Sequence, residues 1–389
     1  MDQKGYGHFN NGGDVWVMAG QSNMEGCGYL VESLASNPNV YCFTTRHKWT
    51  IAKDPLHDLI GSTAPIDWTL RKSMAPPEYQ NKPEGEIRLY WKERAKGIGG
   101  GLGISFGTEY SAATGRPVGL ISCAHGGTSL EQWSHRRKNE GLHSLYGAML
   151  ERIRLAGGNL RGILWYQGES DTTAEASVKY KKLFADWVDA LRSDLHNPDL
   201  PIVTVQLGCV AAPNRSSADW DRIRTVQYEM PESISKLGVA AALDLKLNDT
   251  IHIDSPGLIR LGKRMARIAL RLAENRRTIP MGPRFSSLGT KINQRGLGET
   301  EIVFSGAAGS LLPLRGIDGF SVLDSQMGNH KNAVVTATYR HPKKKNTVVV
   351  RTNIPLVDGD VIAYGRGFMP VCNLVDEADM AVCAFDKQI

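Results

Sequence analysis

The chain lacks a strong net charge of either sign and any long apolar run. Its 46 Lys and Arg residues against 40 Asp and Glu residues leave a formal charge of only +6 over 389 residues. The one triple-lysine run, Lys343–Lys345, is predicted to be a solvated hairpin tip. No apolar stretch approaches the length of a membrane span. The sequence therefore predicts neither nucleic acid nor a membrane as a partner, and it gives no indication of the oligomeric state.

The cysteines lack the spacing of a metal site. Six are present, with no Cys-x-x-Cys pair and no histidine cluster beside them, so no metal or other cofactor is predicted. Cys123 and Cys209 end apolar runs and are predicted to be buried free thiols. The sequence-local candidates for disulfides are Cys27–Cys42 and Cys372–Cys383.

The first residues also lack the pattern of a signal peptide, since they are polar and Gly-rich. Two expectations for the compartment follow. The protein is cytoplasmic as given, or it is secreted or periplasmic with a trimmed leader.

Short apolar runs alternate with amphipathic stretches from residue 14 to about residue 275. The runs are 15–20, 117–122, 161–166, 201–207 and 238–243. Each run is apolar throughout, which is typical of parallel strands that are buried on both faces. The alternation predicts a three-layer α/β/α sandwich around a parallel sheet.

Helices are predicted between these strands. One is expected from 102 to about 114, and a second is indicated by the spacing of Tyr180, Phe184 and Leu191 on one helical face. A third is predicted to begin with Ser255 as its N-cap and Pro256 at its first position.

Two regions depart from this alternation. Residues 26–100 show no clear periodicity, and a long insert of this kind is usually a lid or a binding loop, although a plain structural excursion is nearly as common. Residues 280–389 are β-rich and predict an all-β, sandwich-like domain. The expected organisation is an α/β domain over 1–279 and a C-terminal β-domain over 280–389. The expected C-terminal strands include Glu301 to Phe304, Ala333 to Tyr339, Thr347 to Thr352 and Val361 to Tyr364.

A serine on a tight turn is the first candidate for catalysis. The run Val15–Ala19 stops at Gly20, and Ser22 follows two residues later. A hydroxyl at the carboxyl end of a buried strand projects into the crevice where α/β folds bind ligands. Taken alone, a Gly-x-Ser after a strand is more often an ordinary loop. The second glycine of the Gly-x-Ser-x-Gly elbow is absent, which excludes the α/β-hydrolase pattern.

Two further segments make a catalytic site the better interpretation. Asp249 precedes His252 by three residues, so its carboxylate can reach the imidazole Nδ1 and orient a general base. Gln167 and Glu169 follow the predicted strand 161–166. All of these residues come after strand ends, and the carboxyl ends of parallel strands share one edge of a sheet.

Four sequence blocks carry a family resemblance. Gly20–Met24 (GQSNM), Cys123–Trp133 (CAHGGTSLEQW), Trp165–Asp171 (WYQGESD) and Asp249–His252 (DTIH) resemble those of SGNH-type carbohydrate esterases. Within that superfamily the sequence is most similar to sialate O-acetylesterases and acetylxylan esterases, over roughly residues 14–275. Residues 314–320 and 372–374 also resemble the C-terminal β-domain of bacterial sialate O-acetylesterase-like proteins.

The resemblance implies an oxyanion hole and leaves several roles open. Its donors would be the backbone N–H of Ser22, a glycine N–H from the 126–127 pair, with Gly127 favoured, and the side-chain amide of Gln167. Glu169 is expected to support the site, with a place in the triad as the alternative. Asp254 is a weaker alternative as the acid, and His125 and Trp133 are candidates for sugar contacts or for purely structural roles.

The expected function is removal of O-acetyl groups from a carbohydrate, with an acetylated glycan as the partner. The catalytic residues would be Ser22, His252 and Asp249. A general SGNH esterase or lipase is the alternative enzyme, and a carbohydrate-binding protein without turnover is the alternative of another class. A glycosidase that uses Glu169 and Asp171 is a poor fit, because residues two apart point in different directions.

Overall fold

The computed structural model describes residues 12–211, 215–330 and 332–389. In these ranges the strands are β1 (Asp14–Gly20), β2 (Gly28–Tyr29), β3 (Val40–Phe43), β4 (Trp49–Ile51), β5 (Ile98–Gly100), β6 (Val118–Ser122), β7 (Asn159–Tyr166), β8 (Ile202–Gln206), β9 (Leu237–Ala241), β10 (Arg284–Ile292), β11 (Gly298–Ser305), β12 (Leu311–Leu312), β13 (Phe320–Leu323), β14 (Val335–Arg340), β15 (Thr347–Thr352), β16 (Val361–Tyr364), β17 (Val375–Asp376) and β18 (Phe385–Gln388). The α-helices are α1 (Ser22–Glu25), α2 (Pro65–Ser73), α3 (Pro77–Gln80), α4 (Glu84–Arg94), α5 (Gly103–Thr114), α6 (Leu145–Ala156), α7 (Ala174–Asp194), α8 (Ser217–Ser233) and α9 (Ser255–Ala273).

A large, mostly parallel sheet forms the centre of the α/β part. Its strand order is β4-β3-β6-β1-β7-β8-β9. All neighbours pair in parallel except β4, which is antiparallel to β3 at the edge. The five predicted strands lie within one or two residues of β1, β6, β7, β8 and β9, so that prediction is confirmed.

Helices cover both faces of this sheet. Trp16 of β1 lies beside Gly162 in register, and its ring centroid is 5.2 Å from that of Phe106 on α5. Trp165 points to the opposite face, since it stands three residues after Gly162, and it meets Trp187 of α7 at 4.4 Å. Because each face packs on a helix, the strands are buried throughout, as the uninterrupted apolar runs predict.

Part of the 26–100 region is more regular than its sequence indicates. Strands β3 and β4 extend the central sheet past β6, and β2 pairs with β5 in a separate two-stranded ribbon. The 26–100 region therefore contains regular strands, and its expected role as a lid or binding insert stays a prediction. Strand β3 has only four residues, which is too short for an apolar run to stand out among polar neighbours.

The C-terminal part contains antiparallel sheets, as predicted. One has the order β10-β11-β15-β14 and another the order β13-β16-β18. Both contribute to a single hydrophobic cluster, in which Phe304 from the first sheet contacts Phe385 from the second at 5.9 Å. The division of the chain at residue 279/280 stays a prediction.

Buried polar side chains connect the C-terminal strands to the α/β part. Gln206, at the end of β8, donates to the carbonyl of Ala384 at 3.0 Å and accepts from its N–H at 2.6 Å. The guanidinium of Arg224 on α8 is buried and donates to the carbonyls of Gly365 and Gly367. The N–H groups of Gln206 and Arg224 therefore depend on the C-terminal strands for part of their hydrogen bonding.

Two local expectations need correction. Helix α9 is capped by Asp254, whose Oδ1 accepts the N–H of Gly257 at 2.7 Å, so Ser255 is the first helical residue and Pro256 the second. All six cysteines are free thiols, so neither candidate disulfide forms, and Cys123 and Cys209 are buried as predicted. In the described ranges, no helix is both long enough and apolar enough to cross a bilayer.

Candidate active site

The end of β1 places Ser22 at the carboxyl edge of the central sheet. Gly20 has a φ of +128°, and a Cβ there would lie 2.2 Å from the carbonyl oxygen of Tyr166 on the adjacent strand. Only glycine fits at this close approach. The N–H of Gln21 donates to the same Tyr166 oxygen at 2.8 Å, and Ser22 then begins the short helix α1. The half-buried serine is thus held on a fixed turn.

Ser22, His252 and Asp249 lie together in hydrogen-bonding order. The Ser22 Oγ is 2.9 Å from His252 Nε2, and His252 Nδ1 is 2.7 Å from Asp249 Oδ2. A carboxylate at Nδ1 keeps the proton on that nitrogen, which leaves Nε2 free to accept the proton of the serine hydroxyl. The His252 side chain keeps 23% of its surface exposed, so a substrate can reach this pair.

Asp249 is held in the ionised form although it is partly desolvated. Its second oxygen accepts the backbone N–H groups of Ile251 and His252, each at 2.8 Å. Burial acts to raise the pKa of this carboxyl, but the hydrogen bonds from His252 and the backbone outweigh it and place the pKa below the ordinary value. The carboxylate is therefore suited to stabilise a positive charge on His252.

Asn23 connects the serine turn to the histidine loop. Its Oδ1 accepts the N–H of Ile253 at 3.0 Å, and its Nδ2 donates to the carbonyl of Ile251 at 3.4 Å. These two residues flank His252. Asn23 therefore fixes the loop that carries the imidazole relative to the neighbouring serine.

Glu169 contacts Asn23 and not the imidazole Nδ1. Its Oε1 accepts from Asn23 Nδ2 at 2.9 Å, and its Oε2 is buried without a partner among the described residues. Burial raises the pKa of this carboxyl. Glu169 therefore contacts a residue that holds the His252 loop, and its two foreseen roles, support and triad membership, stay predictions. Asp254 serves as the N-cap of helix α9, and no hydrogen bond joins it to His252 in the described part of the chain.

Two backbone N–H groups beside Ser22 are free to bind an oxyanion. Among the residues that the structure describes, neither the N–H of Ser22 nor that of Gly127 donates to another group. The N–H of Gly126 is already bound by Glu25 Oε2 at 2.7 Å. Of the two glycines, Gly127 therefore has the available donor, at an exposed position with φ of +70°.

The third expected oxyanion donor is turned into the protein. The amide nitrogen of Gln167 donates to the carbonyl of Thr128 at 3.0 Å and to Asp171 Oδ2, and the side chain has no exposed surface. Both amide hydrogens are thus engaged within the turn. Asp171 also accepts the N–H of Leu130, so the pair ties the 128–130 backbone to the end of β7.

His125 and Trp133 are not brought to the surface. The His125 ring nitrogens face the carbonyls of Gly126 at 2.9 Å and Asp67 at 3.1 Å. Trp133 donates its ring N–H to Thr128 Oγ1 at 3.1 Å. Both side chains are fully buried in this structure, so they offer no surface to a sugar.

The sequence patterns missed three residues around the serine. Asn23 and Gln21 stand next to Ser22 in the chain, and Gln21 Oε1 accepts the N–H of Ser170 at 3.2 Å. Glu25 binds Arg71 of the 26–100 region in an ion pair. Polar residues next to a candidate nucleophile indicate that they hold the site together. Their partners lie up to 230 positions away, so the sequence does not show what they bind. In the described ranges, no group of three or more His, Cys, Asp or Glu side chains is placed to hold a metal ion.

A mostly parallel α/β fold with a hydroxyl, an imidazole and a carboxylate in line at a strand end is typical of ester hydrolases. Residues 12–271 match the family model described as carbohydrate esterase, sialic acid-specific acetylesterase. The match spans more than half of the chain, and the protein therefore belongs to this family. Family membership indicates an ester hydrolase that deacetylates carbohydrates.

Known proteins agree with this assignment. A probable carbohydrate esterase of Arabidopsis thaliana is 26% identical over 276 residues, which is 66% of this chain and 90% of that protein. The human sialate O-acetylesterase is 24% identical over 265 residues, 60% of this chain and 48% of that protein. The chain therefore spans about half the length of that relative.

Solved structures show the same fold. A carbohydrate acetylesterase from Xanthomonas citri superposes with a TM-score of 0.68 at 20% identity, and the match covers 96% of this chain and 80% of that one. A protein from Arabidopsis thaliana gives a TM-score of 0.51 at 23% identity, with 67% of this chain and 99% of that one covered.

Proposed function

We propose that this protein removes O-acetyl groups from sialic acid or another acetylated glycan, with Ser22 as the nucleophile of an SGNH-like hydrolase. The observation that carries the proposal is the line from Ser22 Oγ to His252 Nε2 at 2.9 Å and from His252 Nδ1 to Asp249 at 2.7 Å. A serine needs a base of this kind to become nucleophilic at neutral pH.

The reaction proceeds in two halves. Ser22 Oγ attacks the acetyl carbonyl carbon while His252 takes the hydroxyl proton, and the carbonyl oxygen becomes an oxyanion. The N–H groups of Ser22 and Gly127 donate to that oxyanion, and each such donor lowers the barrier by about 3–4 kcal/mol. The intermediate collapses, the sugar oxygen leaves with the proton from His252, and an acetyl-serine remains.

Water completes the cycle. His252 takes a proton from a water molecule as its oxygen attacks the acetyl-serine carbonyl. The second tetrahedral intermediate expels Ser22 Oγ, which recovers its proton from His252, and acetate is released. Asp249 stays ionised throughout and stabilises the imidazolium in both halves.

The test is acetate release from O-acetylated sialic acid, acetylated xylan and a chromogenic acetate, with Ser22→Ala beside the wild type. We expect turnover of an acetylated sugar by the wild type and its loss in Ser22→Ala. Wild-type turnover in that variant would overturn the mechanism. Preference for octanoyl over acetyl esters would favour a general esterase or lipase. Retention of a glycan without acetate release would indicate a binding protein.

We also propose that residues 1–279 form the catalytic domain, with 26–100 as a substrate-facing insert, and that residues 280–389 form a β-domain that braces it. The bonds of Gln206 and Arg224 to the C-terminal strands support this arrangement. A protease site engineered between residues 277 and 283 tests it. We expect the cleaved pieces to co-elute and to keep esterase activity, and free separation of an active first piece would contradict the bracing role.

A further inference from the structure

Three successive N–H groups hold the loop that follows β6 before the proposed oxyanion donor is reached. They belong to Ala124, His125 and Gly126, and they donate to His57 Nε2 at 3.2 Å, the Gly20 carbonyl at 3.0 Å and Glu25 Oε2 at 2.7 Å. The next N–H, that of Gly127, donates to no group among the described residues. The place of this donor therefore depends on the three bonds that precede it.

His57 is the acceptor that the 26–100 region supplies. It lies between β4 and α2, in a stretch without helix or strand, and its side chain is buried. The carbonyl of the preceding residue, Leu56, accepts from Ser122 Oγ at 2.8 Å. Because Ser122 is the last residue of β6, this bond fixes the stretch against the central sheet and places the imidazole beside the loop.

The second ring nitrogen of His57 faces the helix that begins at Ser22. Nδ1 is 2.9 Å from the carbonyl oxygen of Glu25, the last residue of α1. The imidazole therefore joins two backbone segments, one that ends the helix of the nucleophile and one that begins the loop with the oxyanion donor. Ser22 and Gly127 each lie three residues from a residue that this one ring binds.

The two bonds fix the protonation state of His57. Since the Ala124 N–H donates to Nε2, that nitrogen carries no proton, and Nδ1 holds the proton that it donates to Glu25. Burial lowers the pKa of this imidazole to about 4, so the ring is neutral at neutral pH. In the described part of the chain, no hydrogen bond joins His57 to any of the three proposed triad residues. The side chain is therefore suited to hold the backbone and not to transfer protons.

We propose that His57 is a positioning residue for the esterase reaction. By holding Ala124 and Glu25 together, it sets the distance between the oxyanion donor and the nucleophile. The inference rests on the proposed function and gives the 26–100 region a task in the catalytic centre that is separate from any contact with substrate. A donor has to lie about 2.7–3.1 Å from the oxyanion, and a misplacement of about 1 Å can lower the rate by on the order of 10²-fold.

The experiment divides the two bonds of the imidazole among three variants. His57→Leu removes both bonds, His57→Asn keeps an N–H near the place of Nδ1, and His57→Gln keeps an acceptor near the place of Nε2. On 4-nitrophenyl acetate we expect kcat to fall by on the order of 10²-fold in His57→Leu and by about tenfold in each amide variant. KM should stay close to the wild-type value, because no group that contacts the ester has been removed. Urea unfolding followed by circular dichroism gives the folded fraction to which each kcat is referred.

The control is His330→Leu, which removes a half-buried imidazole from the C-terminal part of the chain. His330 Nδ1 accepts the N–H groups of Asn332 and Ala333 at 3.1 and 2.7 Å, so this variant loses backbone contacts of the same kind. It should unfold at a lower urea concentration than the wild type and keep the wild-type kcat.

Wild-type kcat in folded His57→Leu would overturn the inference, and so would an equal loss of kcat in His330→Leu. If His57→Leu does not fold, the two amide variants decide in the same way. Unfolding of all three variants would assign His57 to stability alone and would also overturn the inference. Failure of the proposed function would appear differently, as no acetate release by the wild type from any ester.

Discussion

Asn23 and Glu169 form a buried hydrogen bond of 2.9 Å across 146 positions of the chain. The same Asn23 side chain accepts the N–H of Ile253 and donates to the carbonyl of Ile251, on either side of His252. The position of the imidazole relative to Ser22 therefore depends on an amide that the catalytic chemistry does not consume. Glu169 in turn fixes the orientation of that amide.

This hydrogen bond predicts what happens when the amide and the carboxylate exchange places between positions 23 and 169. Asn23→Asp removes the donor and places two carboxylates against each other in a buried site, so we expect kcat on 4-nitrophenyl acetate to fall tenfold or more. Adding Glu169→Gln restores a donor opposite an acceptor and should recover most of the loss. Steady-state kinetics of the single and double variants measure this.

The separate effects on kcat and KM distinguish a loss of positioning from a general loss of folded protein. We expect kcat to change and KM for the small ester to hold, with the double variant unfolding at the same urea concentration as the wild type. Additive losses in the double variant would show that the two side chains act independently.

Asp249, the proposed acid partner of His252, has a matched control within the same loop. Asp249→Asn removes the charge at His252 Nδ1 and permits the wrong tautomer, so we expect kcat to fall by on the order of 10³-fold or more. Asp254→Asn keeps its helix cap, because asparagine caps as well as aspartate, and should leave turnover unchanged. If Glu169→Gln reduced turnover as severely as Asp249→Asn, the triad would need reassignment.

A substitution at Gly126 tests how closely the loop after β6 packs against Ser22. A Cβ at this position would lie 3.0 Å from Glu25 Oε2 and 3.3 Å from Ser22 Cβ. We therefore expect Gly126→Ala to displace the nucleophile and to lower kcat by tenfold or more while the protein stays folded. Gly85→Ala is the control, since a Cβ there meets nothing within 4 Å and alanine favours helix α4. Equal activity of both variants would contradict the close approach.

The buried carboxyl of Asp54 is expected to make the stability of the protein depend on pH. Burial raises the pKa of this carboxyl to about 7, although the N–H of Gly101 donates to one of its oxygens. The other oxygen has no partner within residues 12–211, 215–330 and 332–389. The folded chain therefore holds a proton that the unfolded chain has released, so stability falls as the pH rises from about 4 to about 7. A shift of this size corresponds to roughly 4 kcal/mol.

Asp54→Asn should remove that dependence. The amide oxygen still accepts from Gly101 and carries no charge, so we expect a higher free energy of unfolding than the wild type at pH 8 and a similar one at pH 4. Urea denaturation at the two pH values gives the comparison. A pH dependence that persists in the variant would assign it to another group.

The sequence predicted the central strands because their pattern has a single physical cause. These strands carry apolar side chains on both faces, such as Trp16 on one and Trp165 on the other, because helices cover both sides of the sheet. Strand β3 escaped prediction because four residues carry too little periodicity. The edge strand β4 is part of the sheet through its pairing with β3, which no local pattern reveals.

For the candidate site, the sequence predicted contacts within one short motif but not contacts between distant segments. Asp249 and His252 are three residues apart, so their contact follows from the sequence. The partner of Asn23 lies 146 positions away, and motif spacing carries no information about it. Gln167 was expected to face the nucleophile, but its amide donates to Asp171, four residues later. The side chain is fully buried with this partner and does not point toward Ser22.

The carboxylate of Glu25 is shared by two parts of the protein with different tasks. One oxygen pairs with Arg71 of helix α2, and the other accepts the N–H of Gly126, next to Gly127. A movement of Arg71 is therefore passed through Glu25 to the loop that contains Gly126 and Gly127. Replacing the 26–100 region by a loop from another esterase would change turnover as well as substrate choice, unless the new loop supplied a cation for Glu25.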